Sequence, residues 1–286
     1  MRIAFIGLGV MGAPMAGHLA AAGHEVSVFN RSPDKARAWA AAHPGTAAAS
    51  PAEAAQGCAL VALCVGHDAD VRGLVPQVLP VMAPGGVIVD HTTTSAELAR
   101  DMAALAAASG RAFLDAPVSG GQAGAEAGRL TIMCGGAPEA FAAAEPVLAA
   151  YARALRLMGG PGAGQLTKMV NQIAIAGVVQ GLAEALHFTR RAGLDPAGVL
   201  AAISQGAAQS WQMDNRWPTM AQGRFDFGFA VDWMRKDLGL VLDEAARNGA
   251  RLDLTRQVDA WYAQVQAAGG GRWDTSSLLT RLEPPR

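Results

Sequence analysis

Lysine is scarce in this chain. Of its 23 basic residues all but Lys35, Lys168 and Lys236 are arginine. Arginine stays protonated at any working pH, whereas a lysine in suitable surroundings can release its proton. Each lysine is therefore a candidate for a task that arginine cannot perform, although Lys35, on the polar face of a predicted helix, reads as an ordinary surface charge. Cysteine is scarce as well. Cys58, Cys64 and Cys134 are odd in number, and no pair has C-x-x-C spacing. That argues against a disulfide framework or a zinc site, and no metal is expected. The three read as small buried apolar side chains in a reducing, cytoplasmic compartment. An excess of either charge is missing too: the net charge is −1, which offers neither a basic surface for nucleic acid nor a polybasic membrane anchor. No segment approaches the roughly 20 uninterrupted apolar residues of a membrane helix. The first residues alternate apolar side chains with glycines, so no secretory leader is expected.

What is present is 286 residues, 51% hydrophobic and 16% charged, enough for one large domain or two smaller ones. The first half alternates apolar runs with helical segments. Strands are predicted at Arg2–Ile6, Glu25–Asn30, Ala59–Val65, Gly86–Thr92, Ala112–Val118, Leu130–Cys134 and Ala154–Met158. Helices are predicted at Met11–Ala22, Pro33–Ala42, Pro51–Gln56, Ala69–Leu79, Ser95–Ser109 and Pro138–Tyr151. Several strands are almost continuously apolar, as strands buried on both faces of a parallel sheet are. Ser50 with Glu53, and Thr94 with Glu97, have capping-box spacing, and Pro51 suits a first helical position. The alternation predicts a doubly wound α/β domain over residues 1–161. After Gly164 no convincing strand follows. Residues 165–191 read as one helix of about 27 residues, roughly 40 Å long, too interrupted by Lys168, Asn171, Gln172, Gln180 and Glu184 to span a membrane. Gly177 and Gly181 on one face would admit a second helix closely. Gly193 ends the helix, Asp195-Pro196 starts another, and Val231–Asn248 and Thr255–Ala268 follow. Residues 162–286 are therefore expected to form a helical domain.

Gly7-Leu8-Gly9-Val10-Met11-Gly12 joins the first strand to the first helix. A G-x-G-x-x-G in that context is a dinucleotide-binding turn. Gly7 permits the tight turn, Gly9 lets the backbone approach a diphosphate, and Gly12 lets the helix pack on the strand. The helix start offers N–H groups and a positive dipole end to phosphate. Where an NAD-selective domain usually places an acid after the second strand, this chain has Asn30-Arg31-Ser32. A guanidinium there could pair with a 2′-phosphate, with Asn30 and Ser32 adding hydrogen bonds, so NADP is favoured, with NAD possible.

Two further segments can carry chemistry. Asp115-Ala116-Pro117-Val118-Ser119-Gly120-Gly121 ends in a turn able to aim a hydroxyl and N–H groups at a carboxylate. Lys168, Asn171 and Gln172 lie on one face of the long helix. With the glycine turn, with Gly162–Gln172, and with Gly228-Phe229 followed by Lys236-Asp237-Leu238, these segments resemble the β-hydroxyacid dehydrogenase family. That family includes 3-hydroxyisobutyrate dehydrogenase, tartronate semialdehyde reductase and the glyoxylate/succinic semialdehyde reductases. The resemblance implies a Rossmann domain, a long interdomain helix and a helical C-terminal domain for substrate binding and oligomerisation, in a homodimer or homotetramer. It implies Lys168 as catalytic acid/base, Ser119, Gly120 and Gly121 as holders of a substrate carboxylate, and Asn171 as the residue orienting the reacting oxygen. It places Val65, Thr93 and Lys236 at the cofactor, beside Gly7, Gly9, Val10, Met11, Gly12, Asn30, Arg31 and Ser32.

The chemistry agrees. Hydride transfer to an aldehyde develops alkoxide charge, which a cationic Lys168 can stabilise and protonate. In the oxidative direction a neutral amine must accept the proton. Free lysine titrates at about 10.4, so burial or Lys236 would have to lower it. The chain departs from the commoner family pattern at Asp90-His91-Thr92-Thr93-Thr94, where His91 either faces the cofactor or caps the strand end, the second being favoured. Trp211 and Trp233 either narrow the pocket or pack helices. An imine reductase has a similar fold but typically lacks the lysine, and a non-catalytic dinucleotide-binding scaffold would have lost the Ser-Gly-Gly or Lys/Asn constellation. The expected function is therefore NAD(P)-dependent oxidation or reduction of a small 3-hydroxy acid or its semialdehyde.

Overall fold

The computed structural model describes residues 1–283. It divides into two compact units, Met1–Lys168 and from Met169 onward. The first unit holds nine strands: β1 (Arg2–Ile6), β2 (Glu25–Phe29), β3 (Thr46–Ala47), β4 (Leu60–Leu63), β5 (Val87–Asp90), β6 (Ala112–Asp115), β7 (Val118–Ser119), β8 (Leu130–Gly135) and β9 (Ala152–Gly159). Between them run α1 (Gly12–Ala21), α2 (Pro33–Ala42), α3 (Pro51–Ala55), α4 (Asp68–Val78), α5 (Ala96–Ala108), α6 (Gly121–Glu126) and α7 (Pro138–Leu148).

They form one sheet in the order β3-β2-β1-β4-β5-β6-β8-β7, with β9 beside β8. β1 to β6 are parallel, and β8 runs antiparallel to β6 and β7. The chain leaves β1 for β2 on one side and returns through β4 on the other. The C-terminal end of β1, where the glycine turn lies, is thus the switch point at which doubly wound sheets bind ligands. Alternation along β1 sends Ile3 and Phe5 into one apolar layer, with Met15, Leu19 and Tyr151, and Ala4 and Ile6 into the other, with Val71, Val75 and Leu98. A two-residue period on a buried strand requires this double-sided core.

Two expectations are corrected. The run Ala112–Val118 is not one strand. Pro117 cannot donate to a ladder, so the chain breaks there, and Met133 N donates to Pro117 O as the continuation pairs with β8. The cap of α5 is Ser95, whose Oγ accepts from Leu98 N at 3.0 Å, rather than Thr94. Leu254 comes to 3.4 Å from where a Cβ on Gly177 would stand, and among the described residues nothing lies within 4 Å of that point at Gly181.

Helix α8 (Ala163–Arg191) begins in the first unit and continues into the second. Its length and hydropathy reach those of a membrane-crossing helix, but its polar side chains have partners within the protein: Gln180 Nε2 donates to Glu184 at 2.7 Å and Gln172 Nε2 to Asp237 at 2.7 Å. The second unit adds α9 (Pro196–Ile203), α10 (Trp211–Ala221), α11 (Val231–Asn248) and α12 (Asp253–Ala267). Its core gathers Val179, Leu186, Trp217, Leu238 and Tyr262. Asp274, fully buried, ties its C-terminal turns together: it accepts from Phe229 N at 3.0 Å and Ser276 Oγ at 2.6 Å, and pairs with Arg216 at 3.1 Å.

Candidate active site

The glycine turn is shaped by steric exclusion. Gly7 has φ +100°, and a Cβ there would stand 2.2 Å from Cys64 O. A Cβ on Gly12 would meet Gly7 O at 1.9 Å, so the start of α1 lies directly on the turn. Around Gly9, by contrast, nothing approaches, and Val10 is exposed. Helix α1 is preceded by Met11, which offers no side-chain cap, and has no acid in its first turn. An open backbone over uncapped N–H groups fits a diphosphate.

Asn30 and Arg31 sit apart in function. Asn30 Oδ1 accepts from Leu8 N at 2.9 Å and its Nδ2 donates to Ser32 O at 3.1 Å, so its amide braces the turn. Arg31 extends into solvent with its side chain 94% exposed, and its nearest carboxylate, Asp70, is 3.8 Å away. Ser32 opens α2 without using its hydroxyl as a cap. Val65 lies beside Gly7, and its N–H donates to Thr92 Oγ1 at 3.0 Å.

Thr93 follows β5 in a segment anchored on both sides. Thr92 N donates to Asp90 Oδ1 at 3.0 Å, Thr92 O accepts from Gln165 Nε2 at 2.7 Å, and Thr94 N donates to Gln165 Oε1 at 3.0 Å. Asp115, at the end of β6, accepts from Gly162 N and Gln165 N, each at 2.8 Å. A fully buried carboxylate thereby caps the start of α8, a favourable place for negative charge. Burial pushes the Asp115 carboxyl up to about 6 against those amide bonds, and pushes Asp90 up to about 7. Lys168, one turn after Gln165 and itself buried, donates from Nζ to Val118 O at 2.8 Å. That carbonyl immediately precedes Ser119-Gly120-Gly121, where Gly120 takes φ +132°. The first unit therefore brings together the glycine turn, Val65 and the Thr93 segment, and sets Lys168 against the chain leading into the Ser-Gly-Gly turn.

In the second unit Asn171 Nδ2 donates to Gln172 Oε1 at 2.8 Å, and Gln172 Nε2 donates to Asp237 Oδ2 at 2.7 Å. The Lys236 ammonium is 3.2 Å from Asp237 Oδ1 and 5.8 Å from the Trp233 ring centre. That buried oxygen accepts no hydrogen bond and is paired with the ammonium by charge. Asn171 and Lys236 thus belong to one chain of contacts through Gln172 and Asp237. Trp211 is half exposed and stacks on Arg216 at 4.9 Å.

His91 is a structural residue. It is buried, bonded through Nδ1 to Ala116 O and through Nε2 to Tyr151 Oη, each at 2.8 Å. Burial lowers its pKa to about 4, so the ring is neutral. With Nδ1–H donating to the carbonyl, Nε2 accepts from the tyrosine. Sequence reasoning missed Gln165, Asp115 and Asp237 as organisers. The available signal was their polarity at positions that topology forces inside: strand ends, a helix start and an apolar helix face. A surface depression lined by Arg2, His24, Glu25 and Thr46 lies at the opposite, N-terminal edge of β1 and β2 and holds none of these residues. Among the described residues no three His, Cys, Asp or Glu side chains gather as a metal site.

Comparison with known proteins shows the family. Residues 2–160 match the family model for the NAD binding domain of 6-phosphogluconate dehydrogenase. Residues 162–282 match the model described as NAD-binding of NADP-dependent 3-hydroxyisobutyrate dehydrogenase. The chain belongs to the β-hydroxyacid dehydrogenase family. It is an oxidoreductase of the 3-hydroxyisobutyrate dehydrogenase type, with a nicotinamide dinucleotide, NAD or NADP, as cofactor. It is 58% identical over 100% of its length, and 99% of the other's, to an uncharacterized oxidoreductase of Shewanella frigidimarina. It is 37% identical to 3-hydroxyisobutyrate dehydrogenase of Pseudomonas aeruginosa, covering 96% of each chain. The solved structure of Mycobacterium tuberculosis 3-hydroxyisobutyrate dehydrogenase with L-serine superposes with a TM-score of 0.90 at 35% identity, covering 98% of both chains.

Proposed function

We propose that this protein transfers hydride between NADP(H) and a small 3-hydroxy acid or its semialdehyde, with Lys168 as general acid/base. The observation that carries the reading is the placement of Lys168: a buried ammonium held 2.8 Å from Val118 O, at the entrance to the Ser119-Gly120-Gly121 turn. The bound dinucleotide supplies or accepts the hydride. In reduction, Lys168 gives its proton to the oxygen on which negative charge develops; in oxidation the neutral amine takes the hydroxyl proton. Ser119, Gly120 and Gly121 hold the substrate carboxylate, and Asn171, with one Nδ2–H fixed by Gln172, orients the reacting oxygen. Gly7, Gly9, Val10, Met11 and Gly12 seat the diphosphate, Val65 and Thr93 line the nicotinamide side, and Lys236 contacts the cofactor. Arg31 and Ser32 take the 2′-phosphate, which favours NADP. L-serine, present with the mycobacterial relative, is itself a 3-hydroxy acid and supports this substrate class.

The proposal extends to assembly. In the second unit Val170, Val178 and Phe188 of α8 and Leu254 of α12 are exposed at 66%, 37%, 69% and 57%, and Ala174 and Gly181 continue the stripe. A face this apolar fits contact between copies in a homodimer or homotetramer. The free thiols Cys58, Cys64 and Cys134 fit a reducing, cytoplasmic setting.

The deciding experiment follows NADPH absorbance with the semialdehydes, and NADP+ reduction with 3-hydroxyisobutyrate, L-serine, glycerate and 4-hydroxybutyrate. Lys168→Ala is expected to lower kcat on the active substrate by about 10³-fold, within the range for lost general acid/base catalysis, with NADPH binding unchanged. Near wild-type turnover in that variant would refute the assignment.

A further inference from the structure

We propose that Gln165 is a positioning residue for the cofactor: its amide clamps the main chain on both sides of Thr93 and fixes where that residue stands. The inference rests on the reading of Thr93 as a cofactor contact. Gln165 is completely buried. Its Oε1 accepts from Thr94 N at 3.0 Å and its Nε2 donates to Thr92 O at 2.7 Å. β5 ends at Asp90, so residues 92 and 94 lie beyond the ladder. One donor and one acceptor on a single planar group stand in for the neighbouring strand they lack. Thr93 is the residue between them, and its side chain is only partly buried.

The clamp is anchored at its own base. Gln165 N donates to Asp115 Oδ2, so the side chain rises from the capped first turn of α8, the same turn that leads to Lys168. The loop presenting Thr93 and the helix presenting Lys168 therefore share one fixed point. Glutamine suits the task because its amide carries both functions at every working pH. A carboxylate at the same place accepts from Thr94 N but repels Thr92 O, and regains the donor only when protonated.

That difference provides the test. NADPH affinity is measured by fluorescence titration for wild type, Gln165→Met and Gln165→Glu from pH 5 to pH 9, below each protein's own melting temperature. Gln165→Met has similar reach without hydrogen bonds and is expected to bind NADPH about tenfold more weakly, the scale on which a lost buried hydrogen bond moves an equilibrium. Gln165→Glu is expected to bind weakly at high pH and to recover towards wild type as pH falls. The ionisable groups on the elements around the clamp are Asp68, Asp90, His91, Asp115 and Lys168; taking each variant as a ratio to wild type at the same pH removes pH effects common to all three proteins. A merely structural role predicts weakening that is the same at every pH. That result, unchanged affinity in both variants, or a wild type that does not bind NADPH would each overturn the proposal. The readout needs no substrate, so an inactive substrate panel would defeat the proposed reaction while leaving this inference to be judged by binding alone.

Discussion

Arg31 and Asn30 are adjacent, and the structure separates their parts. Asn30 has both ends of its amide occupied by Leu8 and Ser32, so it shapes the turn whichever dinucleotide is bound. Among the described residues Arg31, itself exposed, has one carboxylate contact, to the half-buried Asp70 at 3.8 Å, and surface pairs of this kind contribute about 0–1 kcal/mol. Swinging onto a 2′-phosphate costs it little. Arg31→Ala is therefore expected to lower the NADP-over-NAD preference in kcat/KM by roughly 10- to 100-fold, the equivalent of one charge-assisted hydrogen-bonded pair, with NAD kinetics nearly unchanged. Measured with both cofactors at fixed ionic strength, an unaltered ratio would assign the preference to other residues.

At the scale of elements, the C-terminal ends of β5 and β6 set two carboxyls in register, Asp90 opposite Asp115. Burial raises Asp90 to about 7 and Asp115 to about 6, while an unfolded aspartate titrates at about 3.9. The folded chain thus holds these protons over a range where the unfolded chain has lost them. Stability from this pair is highest near pH 4 and declines as pH rises towards 7, by up to about 1.4 kcal/mol per pH unit for each group. Asp90→Asn should flatten that decline. Melting temperatures of both proteins at pH 5 and pH 8 would show it, and parallel curves would contradict it. Much of this architecture was readable beforehand. Apolar runs of strand length and the Ser50 and Asp195 caps marked the elements, because buried strands and helix starts tolerate few residue types. Helix α10 was not recognised: Pro218 interrupts its pattern, and its identity as a helix depends on burying Met213, Trp217 and Met220. The family motifs pointed to Lys168 and the Ser-Gly-Gly turn as candidates. Gln165 and Asp237 fall inside those motifs, but their organising roles did not show there, because Gln165 bonds the backbone of residues 92 and 94 and Asp237 accepts from Gln172, all distant in sequence.

For the whole molecule, the exposed apolar stripe on α8 leads to the prediction that the protein sediments as a dimer or tetramer at micromolar concentration. Phe188→Glu with Val170→Glu should shift it towards monomer, and a monomeric wild type would remove the assignment. The distribution of amines has a different use. Reductive methylation with isotope-labelled formaldehyde would place label on three side chains and the N-terminus, so a heteronuclear spectrum would contain a handful of methyl resonances. The one belonging to the lysine seated against the Val118 carbonyl would trace its own protonation across pH, with and without dinucleotide. A chain so poor in lysine thus makes its proposed catalytic proton observable without mutation.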